Sequence, residues 1–131
     1  METEFRAALI AWLAADPALA GLNVIEEESP LSASPPWLGI AASASTDWST
    51  KDRKGREVRA AIELSTRGDE PDGDASLVHA IEKRLAEMPT SQANFVLISS
   101  QFLRARAERR TNNRRAFLLE YRFRLFETTT E

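Results

Sequence analysis

The feature that most constrains this chain is the alternation in its last third. Phe117, Leu119, Tyr121, Phe123 and Leu125 fall on one side, while Ala116, Glu120, Arg122 and Arg124 fall on the other. Only Leu118 and Phe126 break the polar set. A period of two predicts a half-buried antiparallel strand, here Arg114 to Glu127. An extended run from Asn94 to about Arg106 precedes it, and Thr111-Asn112-Asn113 supplies the turn. Both strands exceed the roughly 5–6 residues usual in small domains. Eight of the seventeen Lys and Arg residues lie between Arg104 and Arg124. So long an arginine-studded hairpin points to contact with other proteins rather than enclosure of a substrate.

The segments upstream complete an α+β pattern. Phe5, Ala8, Leu9, Trp12 and Leu13 form one apolar stripe, which predicts a helix from Thr3 to Ala15 stopped by Asp16-Pro17. Residues 23–31 are extended at best, and the proline-rich segment 29–36 reads as a loop. Trp37 to Trp48 is the first secure strand, and its small residues should let another layer approach closely. Glu57 to Arg67 is the second strand, with Val58, Ala60, Ile62 and Leu64 inward and Glu57, Arg59, Glu63 and Arg67 outward. After a loop from Gly68 to Gly73, Asp74 serves as N-cap for a helix from Ala75 to Met88. Leu77, Val78, Ile81, Leu85 and Met88 are its buried stripe. The expectation is a four-stranded, mostly antiparallel sheet with both helices on one face and a long C-terminal hairpin. The second helix leaves room for one parallel pair where it crosses between hairpins, by a right-handed connection. The 131 residues fit a single domain, residues 1–131, with a frayed end at 127–131.

The residue inventory argues against an enzyme. There is no cysteine and one histidine, which leaves no thiolate chemistry and little room for zinc or imidazole catalysis. The acidic run Asp69, Glu70, Asp72 and Asp74 lacks the twelve-residue calcium-loop pattern and reads as a solvated loop. The five glycines are scattered, so no phosphate-binding loop forms, and Ser99 and Ser100 lack a nucleophile-elbow context. Catalytic, cofactor-binding and metal residues are therefore all expected to be none. No apolar run reaches the roughly 20 residues of a bilayer span, and the N-terminus lacks the basic start of a signal peptide. Cytoplasmic folding is expected, with no membrane partner. The arginine-rich turn invites a nucleic-acid reading, but a pI near 5.3 and the lack of interleaved aromatics argue against sequence-specific binding.

Charge is unevenly spread. Residues 1–50 hold one basic and seven acidic residues, a net of −6, whereas residues 94–131 hold eight and four, a net of +4. The plain reading is that these charges coat a solvated surface; if the fold keeps the two regions apart, the dipolar surface also suits head-to-tail self-association.

The order of these segments resembles a known family. The first helix runs into Leu13-Ala14-Ala15-Asp16-Pro17-Ala18-Leu19-Ala20, and Ser34-Pro35-Pro36-Trp37-Leu38 leads into a strand. A strand, acidic loop and helix block follows from Ile62 to Leu85, and a long strand pair closes the chain. This organisation resembles the tail-terminator (tail-completion) proteins of long-tailed phages and of phage-derived gene transfer agents. The chain departs from it in a more acidic first third and a prominent arginine-rich turn.

The resemblance implies a structural role without a reaction. Members form a hexameric ring on the head-proximal end of the tail tube, stop its growth and offer a platform to the head–tail connector. The implied partners are other copies of the chain, the tail tube protein and the connector or stopper protein, with DNA only as passing cargo. The implied location is the host cytoplasm during assembly and then the tail-neck region. Within that reading, Glu26, Glu27 and Glu28 are candidates to meet Arg104, Arg106, Arg109, Arg110, Arg114 and Arg115 of a neighbour. Arg59, Glu63, Glu120, Arg122 and Arg124 are candidates to line a channel. Two rival readings share the size and lack of chemistry: a neck or head-completion protein of the same kind of particle, and a small cytoplasmic binding module.

Overall fold

Three fully buried side chains explain the first helix. In the computed structural model, which describes residues 1–28, 30 and 32–128, α1 spans Glu2–Ala14. Phe5, Leu9 and Leu13 on its inner face have no exposed surface. Burying each is worth roughly 2 kcal/mol. Asp16 then accepts from the Ala18 N–H at 3.0 Å and caps a single 3-10 turn, Pro17–Leu19. The second helix, α2 (Pro71–Ala86), lays Ile81 and Leu85 into the same core.

The strands are β1 (Val24–Glu26), β2 (Trp37–Asp47), β3 (Gly55–Thr66), β4 (Phe95–Arg109) and β5 (Arg115–Glu127). They form one sheet in the order β1-β2-β3-β5-β4. The alternation in β5 places Leu119, Tyr121, Phe123 and Leu125 in the core, beside Val58, Ala60, Ile62 and Leu64 of β3. Both helices contribute to that same cluster, so they share one face of the sheet. Phe5 ties α1 to it, with ring centroids 4.7 Å from Phe123 and 5.8 Å from Phe95.

The sheet has five strands rather than the expected four. The extra one, β1, pairs in parallel with β2 through Val24–Trp37, Ile25–Leu38 and Glu26–Gly39. Three residues are too few to show a period, and the following glutamates hide the strand in the sequence. The one parallel ladder is therefore at this edge and not at the α2 crossover. β5 inserts between β3 and β4 and pairs antiparallel with both, which keeps the two strands flanking α2 apart.

α2 also begins earlier than its composition suggests. Pro71 is its first residue, a position where proline's fixed φ suits the helix and its missing N–H is no loss. Asp74 is therefore inside the first turn and not the N-cap. Its buried carboxylate accepts from Thr66 Oγ1 at 3.0 Å and lies 3.8 Å from Arg115. On β2 the small residues that face α1 do meet that layer: Ser43 hydrogen-bonds Arg6 and Glu2, and Ser45 hydrogen-bonds Glu2. Ala41, Ala42, Ala44, Thr46 and Asp47 are exposed. At the other end of the chain β5 continues to Glu127; residues 129–131 of the expected frayed end lie outside the described residues.

Candidate functional site

The long hairpin closes through a type I′ turn. Asn112 and Asn113 both have φ 59, and the Arg114 N–H donates to the Thr111 carbonyl at 3.4 Å. Asparagine tolerates that left-handed geometry better than most residues. The turn is not a free arm. The Asn113 carbonyl packs against Gly68, where a Cβ would come within 2.7 Å of it.

Most of the candidate arginines already have carboxylate neighbours. Arg104 pairs with Glu120, Arg106 with Glu108 at 2.9 Å, and Arg115 with Asp74. Arg110 reaches Glu108 at 3.1 Å and Glu63 at 3.6 Å. Arg109 and Arg114 are exposed and make no ion pair among the described residues. Glu63 points to the helix-free side, as expected, but is only 7% exposed. Arg110 lies against it, the buried Leu118 is its cross-strand partner, and the buried Trp37 and Ala116 occupy the neighbouring row of the same face.

The other channel candidates lie together on the same helix-free face. Glu57 is their hub, 3.1 Å from Arg124, 3.7 Å from Arg122 and 3.8 Å from Arg59. Arg104 and Glu120 form a second pair on that face, and Arg122 also donates to Gln101. Four arginines meet two carboxylates in this lattice, which leaves a positive excess. Phe126, one of the two breaks in the polar pattern, stacks on Trp48 with centroids 4.8 Å apart.

The acidic cluster occupies the opposite end of the sheet order. Glu26 ends β1, and Glu26, Glu27 and Glu28 line an open cleft of about 680 Å³ with Glu2, Arg6 and Ser43. Arg6 is its one cation: it donates to Ser43 Oγ at 2.5 Å and to the Glu27 carbonyl at 2.7 Å. Ser43 in turn donates to Glu2 at 2.7 Å. Hydrogen bonds from Ser45 and Ser43 hold the Glu2 carboxyl below its ordinary value. Four carboxylates around one arginine leave the cleft strongly negative.

Strand register relates the two clusters. Glu26 pairs with Gly39, Gly39 with Glu63, Glu63 with Leu118 and Leu118 with Arg106. Glu26 and Arg106 thus stand in one row of the sheet, on its opposite edges. Arg104 is in the adjoining row that ends at Ala42.

Both edges are open in that region. β1 covers β2 only through Gly39, which leaves Ile40–Asp47 without an outer partner among the described strands. The Thr90–Gln92 segment covers the start of β4, where the Leu97 N–H donates to the Thr90 carbonyl at 2.8 Å. From Ile98 onward the outer edge of β4 is bare among the described residues. Ile98, Phe102 and Leu103 are exposed there by 45%, 48% and 38%.

These three residues and the cleft partners Glu2 and Arg6 are absent from the candidates read from the sequence. The apolar doublets Leu97-Ile98 and Phe102-Leu103 carry the missing signal. They break the period of two, and both coincide with β-bulges, between Leu97 and Ser99 and between Phe102 and Arg104.

A chain in the virion of a native gene transfer agent particle has the same fold, with a TM-score of 0.81 at 23% sequence identity and 97% of each chain covered. No curated protein sequence is detectably similar to the chain. The family profile described as tail completion protein gp17 matches residues 7–126. By that match over nearly its whole length, the chain belongs to the tail completion protein gp17 family.

Proposed function

We propose that this protein is a tail terminator. Copies of it form a ring on the head-proximal end of a tail tube, end the tube's growth and present a platform to the head–tail connector. Family membership supports a structural role in a tail. The observation that carries the ring is the shared row of Glu26 and Arg106 on opposite edges of one sheet. A closed ring needs two different patches at the same height along its axis, so that each contact turns the next subunit without raising it. The acidic cleft and the arginines of β4 meet that condition. In a ring of about six copies the helix-free face turns toward the lumen. Three arginines gather round the one Glu57 carboxylate there, so passing DNA meets a modest positive excess held in ion pairs.

Tube length tests the terminator role. Tail tube protein polymerised with the purified chain should give shorter, capped tubes, with the chain at one end. Tubes of unchanged length and bare ends would sink the terminator reading and favour a neck role.

A further inference from the structure

We infer that neighbouring copies join main chain to main chain. The outer edge of β4 over Ile98–Arg104 pairs antiparallel with the outer edge of β2 over Ala42–Asp47 of the next copy. This rests on the ring reading and gives its contact an atomic form.

Register places the two edges at the same level. The row of Ala42 ends across the sheet at Arg104, that of Ser43 at Phe102, that of Ser45 at Ser100 and that of Thr46 at Ser99. β2 and β4 run in opposite directions, because three antiparallel ladders separate them. Rotation about an axis parallel to the strands preserves that opposition, so the new ladder is antiparallel.

The side chains fit this pairing. β4 presents Ile98, Phe102 and Leu103 to solvent, and a long bare edge of that kind is one that folded proteins usually cover. The receiving edge offers Ala42, Ser43, Ala44 and Ser45, which leave room for them.

The bulge at Leu103 explains how the contact clears β1. An incoming β4 can follow β2 only up to Ala42, since β1 occupies the outer edge of β2 from Gly39 back to Trp37. The bulge between Phe102 and Arg104 falls at that level and bends the strand away. Arg104 and Arg106 then pass the end of β1, beside Glu26, Glu27 and Glu28. Charge complementarity and the free edge thus select the same occupant, a second copy of this chain.

The chain has no cysteine, so engineered pairs report cleanly. Ser45→Cys and Ser100→Cys in one chain should cross-link under mild oxidation into a covalent ladder that closes at the copy number of the ring. Directly opposed strand residues have the Cα separation that a disulfide needs. Glu87→Cys with Ser100→Cys is the control and should stay uncross-linked. Amides of Ile98–Arg104 should also gain hydrogen-exchange protection on assembly. A ring of native mass that neither cross-links nor gains this protection overturns the edge pairing and leaves the ring standing. Cross-links that grow without closing support the edge pairing and overturn the ring. A monomer at high concentration without cross-links overturns both.

Discussion

Trp12 and Arg84 cap each other's helices. The Trp12 indole N–H donates to the Arg84 carbonyl at 2.7 Å, and Arg84 Nε donates to the Trp12 carbonyl at 2.8 Å. The guanidinium also lies 3.3 Å from the centroid of the indole ring. Both carbonyls belong to last helical turns, where regular helix bonds run out, and the Arg84 carbonyl also accepts from the Glu87 N–H at 3.2 Å. α1 has no basic residue in its own last turn, so Arg84 supplies that cation from α2.

Replacing Arg84 by alanine therefore removes a charged donor and a cation–π contact together. The expected loss of stability is about 2 kcal/mol, read by urea or thermal unfolding. Arg84→Lys should recover only part of it, because an ammonium cannot reproduce the planar fork.

Gly68→Ala should also destabilise, by roughly 1–2 kcal/mol. Gly68 has φ +80, and a Cβ there would meet the Asn113 carbonyl at 2.7 Å. Because the turn packs on this residue, amide exchange should rise around Asn112 and Asn113 in the variant. Unchanged exchange there would show that the turn does not depend on Gly68.

Tyr121 is the one tyrosine, so its ionisation can be followed directly by phenolate absorbance. Burial, with Glu82 nearby, raises its pKa from 10.0 to about 12. The unfolded chain releases the proton more easily, so stability should fall as pH rises from 10 to 12. Phe102 packs edge-on against this ring at 5.5 Å. Phe102→Ala should expose the phenol and lower its midpoint. A midpoint near 10 in the intact protein would refute the buried environment.

The acid limb involves Glu2. Its lowered pKa contributes stability that is present above 4.5 and lost as pH falls through the folded value. Ser45→Ala should move the Glu2 titration back toward 4.5, since the Ser45 hydrogen bond is the largest cause of the shift. Carboxyl NMR titration reads the change, and an unmoved midpoint would assign the shift elsewhere.

Reversing Arg106 and Arg109 to glutamate should weaken ring assembly while the monomer stays folded. Glu26→Arg in the same chain should restore part of it, and wild-type assembly should weaken as salt rises. Light scattering across a salt series measures all three. Assembly indifferent to both reversal and salt would remove charge pairing from the contact.

Local periodicity determined much of this protein. The stripe of Phe5, Leu9 and Leu13, the alternation from Phe117 to Leu125 and the turn at Asn112-Asn113 are legible because each depends on neighbours a few residues away. The absence of cysteine and the acidic-to-basic imbalance are likewise written in the chain itself. Tertiary structure alone decided which strands lie side by side. It put β5 between β3 and β4, left β4 from Ile98 onward and the end of β2 without outer partners among the described residues, buried Glu63 and turned Asp74 inward. Pairing between distant segments depends on how whole faces fit together, and no window of sequence contains that information. The shared row of Glu26 and Arg106 is its clearest product: eighty residues of chain separate them, and only strand order sets them at one height.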